Sequence, residues 1–212
     1  MKNYIKNSEI LKKNHVYSEE MEHDACGVGL IASTEGKKSR KVVEYGIEAL
    51  KAVWHRGAVD ADGKTGDGAG IHVEIPKDFF IEKIEVTGHN HDNSEICVGM
   101  IFLPRNDYAA QENCKTIVES ELTKNDFSIY GWRQVPVNPK VLGEKAFQTM
   151  PEIIQVLFKS NNPDLLNKDL ERKIYETRRI IENKAFQISL NNFYICSLSS
   201  KSIIYKGMFL AE

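Results

Sequence analysis

Cys26 is the residue of this sequence whose type and setting best suit covalent chemistry. It lies in the run His23-Asp-Ala-Cys-Gly-Val-Gly29, directly after a polar leader of different composition. If the leader were removed after Ala25, Cys26 would carry both a thiol and a free α-amine. The pKa of such an amine is about 7.7–8.0 and that of a thiol about 8.5, so a proton can pass between them near neutral pH. This predicts a nucleophile with its own base, and the competing interpretation is a small buried side chain.

The glycine- and aspartate-rich stretch from His55 to Gly70 is a second candidate, although it fits no generic ligand-binding motif. A dinucleotide fingerprint needs glycine where Ile71 stands, and the four-residue spacing of a Walker loop is not met. An EF-hand needs an oxygen ligand where Lys64 stands. The plain interpretation is a tight solvated loop, in which Arg56 can point its guanidinium inward to carbonyls or a carboxylate.

Histidines offer two weaker alternatives. Cys26 and His55 could form a cysteine–histidine dyad, which would indicate a different class of hydrolase. His89 and His91 could supply half of a metal site, but no acidic or cysteine partner stands at matching spacing. A solvated loop is the favoured interpretation of His89 and His91.

Composition limits the classes of partner. The chain has 212 residues, 42% of them hydrophobic, and 28 Lys plus Arg against 30 Asp plus Glu. This composition excludes disorder as a description of the whole chain, and the net charge of -2 predicts no nucleic-acid partner. Apolar runs fall short of the roughly 20 residues that span a membrane. Four separate cysteines without a secretory signal predict a reducing, cytoplasmic setting.

Strands and helices must position these residues, and the hydrophobic pattern places them in alternation. Ser39 predicts a helix start, because a helical apolar spacing follows it. Alternation favours a parallel sheet, whereas the short last connection forces an antiparallel hairpin, so the pattern predicts mixed topology. The predicted strands cover residues 26–33, 71–75, 96–103, 127–137, 153–158, 193–198 and 203–206, of which the last two form the hairpin. Besides the helix that starts at Ser39, helices are predicted near 110–122, Ala146 and 166–181.

Several motifs occur in an order and spacing that resemble the amino-terminal class II glutamine amidotransferase domain of glutamate synthase large subunits. The resemblance runs from about Glu22 to the last residue. Each short motif alone is weak evidence for the family, but their combination is specific to it. The motifs are Cys26-Gly-Val-Gly29, His55-Arg-Gly-Ala58, Thr65-Gly-Asp-Gly-Ala-Gly-Ile71, Phe102-Leu-Pro104, Gly131-Trp-Arg-Gln-Val-Pro136 and the segment from Ser197 to Gly207.

The resemblance implies a fold class of α+β, namely a four-layer αββα sandwich of the N-terminal-nucleophile hydrolase type, incomplete at the C-terminus. It also implies a propeptide over residues 1–25, and the amino-terminal part of the amidotransferase domain over residues 26–212. Carried over position by position, Cys26 matches the nucleophile. Arg56 and Gly57 match the motif that supports the surroundings of the nucleophile, and the Gly66–Gly70 loop matches a structural turn near the site.

The implied activity is hydrolysis of glutamine to glutamate and ammonia, with the ammonia used for reductive glutamate synthesis from 2-oxoglutarate. No cofactor is expected in this segment, while FMN and an iron–sulfur cluster are implied for the full-length enzyme. The implied partners are glutamine, the remaining synthase domains and a small reductase subunit. NADPH, NADH and ferredoxin stay open as the electron donor.

The sequence departs from the family's pattern at its end. The family's glutamine-binding arginine and its Asn-Gly oxyanion donors lie in motifs that would come after Glu212. The chain is therefore expected to be an amino-terminal part that is inactive when isolated. The alternatives are an inactive fragment acting as an interaction module, or another class II amidotransferase of the phosphoribosyl or hexosamine type. The Gly131–Pro136 motif argues against the last of these.

Overall fold

The fold is taken from a computed structural model, which describes residues 2–14, 27–53, 58–208 and 210. Within these ranges no helix is long and apolar enough to cross a membrane. The helices are α1 Lys2–Lys13, α2 Arg40–Ala52, α3 Lys77–Val86, α4 Tyr108–Lys124, α5 Glu144–Thr149 and α6 Asn167–Gln187. The strands are β1 Ala69–Glu74, β2 Cys97–Leu103, β3 Phe127–Gln134, β4 Glu152–Ser160, β5 Tyr194–Ser199 and β6 Ser202–Gly207.

Four strands form the large sheet, in the order β3-β4-β2-β5, and every neighbouring pair is antiparallel. The central strand β2, with the sequence CVGMIFL, is buried along nearly its whole length, as its unbroken apolar run requires. Helices α4 and α6 cover one face of the sheet, where residues such as Val118 and Ile174 join strand residues such as Phe158 in one buried cluster. We call this cluster the outer core.

The opposite face of the large sheet is covered as well. Met100 and Leu157 from its strands form a second buried cluster with Phe80 and Ile84 of α3 and Ile203 of β6. We call this cluster the inner core. Helix α3 lies in a stretch for which the sequence pattern predicts no element, and it begins directly after Pro76.

The small sheet contains β1 and β6, which pair antiparallel from Ala69↔Gly207 to Glu74↔Ser202. The chain passes from β5 in the large sheet to β6 in the small sheet through the turn at 199–202. The predicted hairpin of the last two strands is therefore wrong, because β5 pairs with β2 and β6 with β1. Between β5 and β6, the Ile204 amide donates to the side-chain hydroxyl of Ser197 at 3.2 Å. A side-chain oxygen thus accepts this bond in place of a backbone carbonyl.

All strand ladders among the described residues are antiparallel, so the predicted α+β class is confirmed, with two antiparallel sheets, and the predicted mixed topology is wrong. Helix α4 connects β2 to β3, and α6 connects β4 to β5, all in the large sheet. However, β3 pairs antiparallel with β4, and β5 pairs antiparallel with β2. Alternation of helices and strands therefore does not by itself make a sheet parallel.

The segment before α2 differs from its prediction. The buried strand expected over 26–33 is not formed in the described part, residues 27–33, which pairs with no described strand. Val28 and Leu30 are 91% and 89% exposed. An apolar run becomes a strand only where a neighbouring strand satisfies its backbone groups, and no described strand pairs with residues 27–33. Helix α2 does start as predicted, with the Ser39 side chain accepting from the Lys41 amide at 3.2 Å.

The predicted leader contains a helix that the pattern did not indicate, α1 at Lys2–Lys13. Its apolar side chains Ile5, Ile10 and Leu11 are exposed. Because this helix carries little apolar surface and no sustained period, its sequence gives only a weak signal.

Candidate active site

Cys26, Arg56 and Gly57, the three residues assigned to the site from the sequence, lie outside the described residues. The structure describes the segments that follow them. Gly27 begins an exposed segment that belongs to no helix or strand, and Ala58 begins a hairpin. These two segments are therefore the described neighbours of the candidate site in the sequence.

Residues 58–67 form the hairpin, which we call the 58–67 hairpin. Its base is closed by the Asp67 amide donating to the Ala58 carbonyl at 3.3 Å and by an isolated bridge between Val59 and Gly66. Its tip is closed by the Asp60 amide, which donates to the Thr65 carbonyl at 2.9 Å. The described part of the stretch from His55 to Gly70 therefore contains a tight turn, as the plain interpretation predicts, but it is not wholly solvated, because Thr65 and Gly66 are buried.

Asp62 organises the tip of the hairpin. Its carboxylate accepts from the amides of Lys64 and Thr65, at 2.9 and 2.7 Å, and from the Thr65 hydroxyl at 2.6 Å. The bond from the Thr65 hydroxyl, followed by the bonds from these amides, holds the pKa of Asp62 well below its ordinary value. Asp62 therefore stays ionised at neutral pH and closes the turn as a short polar side chain does in an Asx-turn.

The hairpin docks on the beginning of α5. Thr65 is only 3% exposed, and its hydroxyl lies 3.4 Å from the Ala146 amide, which donates to it. Lys145 pairs with Asp60 at 2.7 Å, and this pairing lowers the pKa of the Asp60 carboxyl. Gly143 has no room for a side chain, since an added Cβ would overlap Asp62 Oδ2 and Thr65 Oγ1. The two segments are therefore in direct, interlocking contact.

The glycine-rich run 66–70 joins the hairpin to β1, and only Asp67 and Gly68 lie between the bridge residue Gly66 and Ala69, the first residue of β1. The role of this run as a turn near the site stays a prediction. Gly68 has a φ of +118°, which L-residues rarely adopt. A Cβ added at Gly70 would lie 2.8 Å from both the carbonyl oxygen of Tyr205 and Cβ of Lys206. The glycine-rich motif therefore allows β1 to approach β6 closely.

The three described cysteines are poor nucleophiles. Cys97, Cys114 and Cys196 are free and buried. Burial raises the pKa of Cys114 to about 11, and burial, more than the nearby charge of Glu171, raises the pKa of Cys97 as well. Burial also raises the pKa of Cys196. A thiol must ionise to attack, so these three positions do not compete with Cys26 for the nucleophilic role.

No metal-binding group stands out in the described ranges. Within them, no cluster of three or more His, Cys, Asp or Glu side chains could hold a metal ion. His89 contacts the Thr87 hydroxyl at 3.1 Å, and His91 contacts the Ser94 carbonyl at 3.0 Å. Both histidines thus have local partners in a loop, in keeping with the favoured interpretation of a solvated loop.

An open cavity of about 500 Å³ lies on the segment that continues from Cys26. It is bounded on one side by Ile31 to Ser39 and on the other by Lys41, Val42 and Tyr45 of α2. Tyr45 is 46% exposed, so the cavity is a surface feature rather than an enclosed pocket. A further open cavity, of about 250 Å³, lies between the 58–67 hairpin and α5 and is lined by Asp60, Asp62 and Lys145 among others.

Sequence reasoning missed the contacts of Asp62, Thr65 and Gly143. The run Asp-Gly-Lys-Thr at 62–65 is a turn signal that could have indicated the Asp62 hydrogen bonds. Gly143 gives no such signal, because its φ of -70° suits any residue and only its neighbours in space exclude a side chain.

Comparison with known proteins places these features in a family. The sequence profile described as "Glutamine amidotransferases class-II" matches residues 26–212. The chain is 55% identical over 206 residues to "Glutamate synthase [NADPH] large chain" of Azospirillum brasilense, which covers 97% of this chain and 14% of that protein. It is 40% identical over 193 residues to "Ferredoxin-dependent glutamate synthase 1, chloroplastic/mitochondrial" of Arabidopsis thaliana, covering 90% of this chain and 12% of that one. The chain thus spans about one seventh or less of the length of these relatives.

Proposed function

The chain belongs to the class II glutamine amidotransferases, an enzyme family, and on that premise we propose that it is the glutaminase part of a glutamate synthase large chain. It is homologous to the amino-terminal part of such large chains. The observation that carries the proposal is the 55% identity across 97% of this chain. Glutamate synthesis and its place in ammonia assimilation belong to the proposal rather than to the family assignment.

The proposed reaction begins at Cys26. Its thiolate attacks the side-chain amide carbon of glutamine, forming a C–S bond, and its α-amine takes the thiol proton and passes it to the departing ammonia. Water then cleaves the thioester and releases glutamate. The ammonia converts 2-oxoglutarate to a second glutamate at the expense of a reductant. The burial of the three described thiols supports the choice of Cys26.

Processing of the amino terminus is part of this proposal. Residues 1–25 are a propeptide, and their removal frees the α-amine of Cys26. The family match begins at residue 26, which supports a domain boundary at this point. The finer fold, a four-layer αββα sandwich, is also proposed. Two antiparallel sheets, with α4 and α6 on the outer face of the large sheet, support it.

Further parts of the proposal concern the whole enzyme. FMN and an iron–sulfur cluster are carried by the remaining synthase domains, which act on the ammonia, and a small reductase subunit supplies electrons. NADPH is favoured over ferredoxin as the donor, because identity is 55% to the NADPH-named relative and 38–40% to plant ferredoxin-named ones. The proposed location is cytoplasmic.

The test uses the natural gene product that carries residues 1–212. Cys26→Ala is expected to abolish glutamine-dependent activity and to leave activity with added ammonia, because only the first half-reaction needs the thiol. Cys97→Ala and Cys196→Ala are the matched controls, and both should keep glutamine-dependent activity. Equal loss from a control that remains folded contradicts the assignment of Cys26.

Amino-terminal sequencing of the active protein tests the processing step. Cys26 should be the first residue, because an acylated amine cannot act as the base. An active enzyme that retains residues 1–25 would refute the propeptide. An activity that proceeds with glutamine but without 2-oxoglutarate as ammonia acceptor would instead favour another class II amidotransferase.

A further inference from the structure

We propose that Asp62, Thr65 and Gly143 are positioning residues for glutamine hydrolysis, and that they act by fixing the 58–67 hairpin on the start of α5. The inference rests on the proposed function, because it assumes that Arg56 and Gly57 support the nucleophile. We call the contact of Asp62 and Thr65 with residues 143–146 the hairpin anchor.

The hairpin continues directly from the supporting residues. Ala58 follows Gly57, and its carbonyl takes part in closing the hairpin. Ala58 is the first described residue after Arg56 and Gly57 in the sequence. The anchor is therefore expected to act on the predicted site through Ala58.

The anchor is specific in its chemistry. The Thr65 hydroxyl donates to Asp62 Oδ2 at 2.6 Å and accepts from the Ala146 amide, so both of its functions are used in one buried position. The backbone amide of Lys145 also stabilises the ionised form of Asp62. The absence of a side chain at Gly143 then lets the two segments approach. The three residues form one contact, and losing any of them loosens it.

The anchor contributes little to the two cores. Neither the outer nor the inner core, among the described residues, contains a residue of the 58–67 hairpin. Asp62, Gly63 and Lys64 at its tip are exposed. The closest contacts of the hairpin thus fix its own position and leave the packing of the large sheet to other residues. A loosened anchor should therefore affect the neighbouring site far more than global stability.

The experiment compares variants of the natural gene product that carries residues 1–212. Thr65→Val keeps the shape and removes both hydrogen bonds, Thr65→Ser keeps the hydroxyl, and Lys64→Ala is a control at an exposed neighbour. Thr65→Val is expected to lower kcat for glutamine hydrolysis about ten- to a hundredfold, since small misplacements of catalytic groups have effects of this size. Thr65→Ser should recover most of the loss, and Lys64→Ala should change kcat by less than about twofold.

Three further readouts separate positioning from a folding defect. Activity with added ammonia and the unfolding midpoint should change little in Thr65→Val. Gly143→Ala, on the other segment, should lower kcat in the same way. The double variant should lose about as much as the larger single loss, because both changes break one contact. Additive losses, equal loss with ammonia, or an unchanged kcat in Thr65→Val would each overturn the anchor.

Cys26→Ala distinguishes the two proposals. If it abolishes glutamine-dependent activity while Thr65→Val has full activity, the proposed function stands and the anchor is refuted. If Cys26→Ala keeps glutamine-dependent activity, the proposed function is refuted, and with it the role proposed for the anchor.

Discussion

The large sheet is covered on both faces, whereas the small sheet and the elements beside it leave much of their apolar surface in solvent. In the large sheet, Val98 and Ile101 face opposite cores and are both fully buried. In the small sheet, β1 has no fully buried position. Helix α2, although amphipathic, buries none of its residues completely.

The difference shows that the same kind of sequence pattern has different consequences in the two regions. Burial of apolar area stabilises by about 25 cal/mol per Å², so it depends on what covers a residue and not on the residue alone. Leu30 and Leu157 are the same side chain, yet Leu30 is 89% exposed and Leu157 is fully buried. Periodicity predicts which face of an element is apolar, but it does not predict which element covers that face.

The largest expected effect contrasts one residue from each region. Phe158 is buried in the outer core, with its ring 5.4 Å from that of Phe127. Phe158→Ala should lower the free energy of unfolding by about 3–5 kcal/mol. Leu30→Ala should change it by less than about 0.5 kcal/mol, as for other exposed positions. Urea unfolding measures both. A cost for Leu30→Ala close to that of Phe158→Ala would contradict the contrast between the two regions.

An intermediate effect is expected at the join of the two regions. Gly70→Ala places a methyl group against the backbone of β6 and should destabilise the protein by about 1–3 kcal/mol. Gly29→Ala is the matched control, because apart from its chain neighbours no atom of the described residues lies within 4 Å of its added Cβ. Hydrogen exchange should show faster exchange of β1 and β6 amides in Gly70→Ala, with the large sheet unaffected. Unchanged exchange in β1 would contradict the close approach at Gly70.

The smallest effect concerns charge at the edge of the outer core. Glu121 is 4% exposed and pairs with Lys184 at 2.6 Å and Lys124 at 3.1 Å. The bond to Lys184 lowers the pKa of Glu121 below its ordinary 4.5. The folded state therefore gains stability from ionised Glu121 above pH 4.5, and this gain is lost as the pH falls through the folded-state pKa.

Glu121→Gln should thus cost about 1 kcal/mol near neutral pH, and the cost should shrink as the pH falls below about 4.5. Glu112→Gln, which disrupts the exposed pair with Lys115, should cost less than about 0.5 kcal/mol at any pH. Urea unfolding at several pH values measures both. A cost of Glu121→Gln that does not change with pH would refute the electrostatic origin of the effect.

The success of the sequence-based predictions also differs between the elements of the fold. Long periodic segments such as α4, α6 and β2 were predicted correctly, because their own patterns determine their type. Helix α3 was missed, since Phe79, Phe80 and Ile81 are consecutive and give no helical period. The hairpin of β5 and β6 was wrong because short spacing in sequence does not decide which strand becomes the hydrogen-bonded neighbour.

The candidate site divides in a similar way. Cys26 and Arg56 were found from short motifs, because their chemistry is local in the sequence, and their roles remain predictions. Gly143 was not found, because its partners Asp62 and Thr65 are distant in the chain and the contact exists only after folding. Residue type signals chemistry, whereas positioning depends on tertiary contacts that no local pattern contains.

The pairing of β1 with β6 also sets the order in which the chain can fold during synthesis. The ladder joins Ala69–Glu74 to Ser202–Gly207, so β1 leaves the ribosome long before its partner exists. At roughly 5–20 residues per second, the roughly 130 intervening residues take about 6–26 s to synthesise. The strands β2, β3 and β4 are complete earlier and can pair with one another during this interval. Of the described elements, the small sheet is therefore the last to close, and until then the open edges of β1 are a site where a nascent chain can mispair or aggregate.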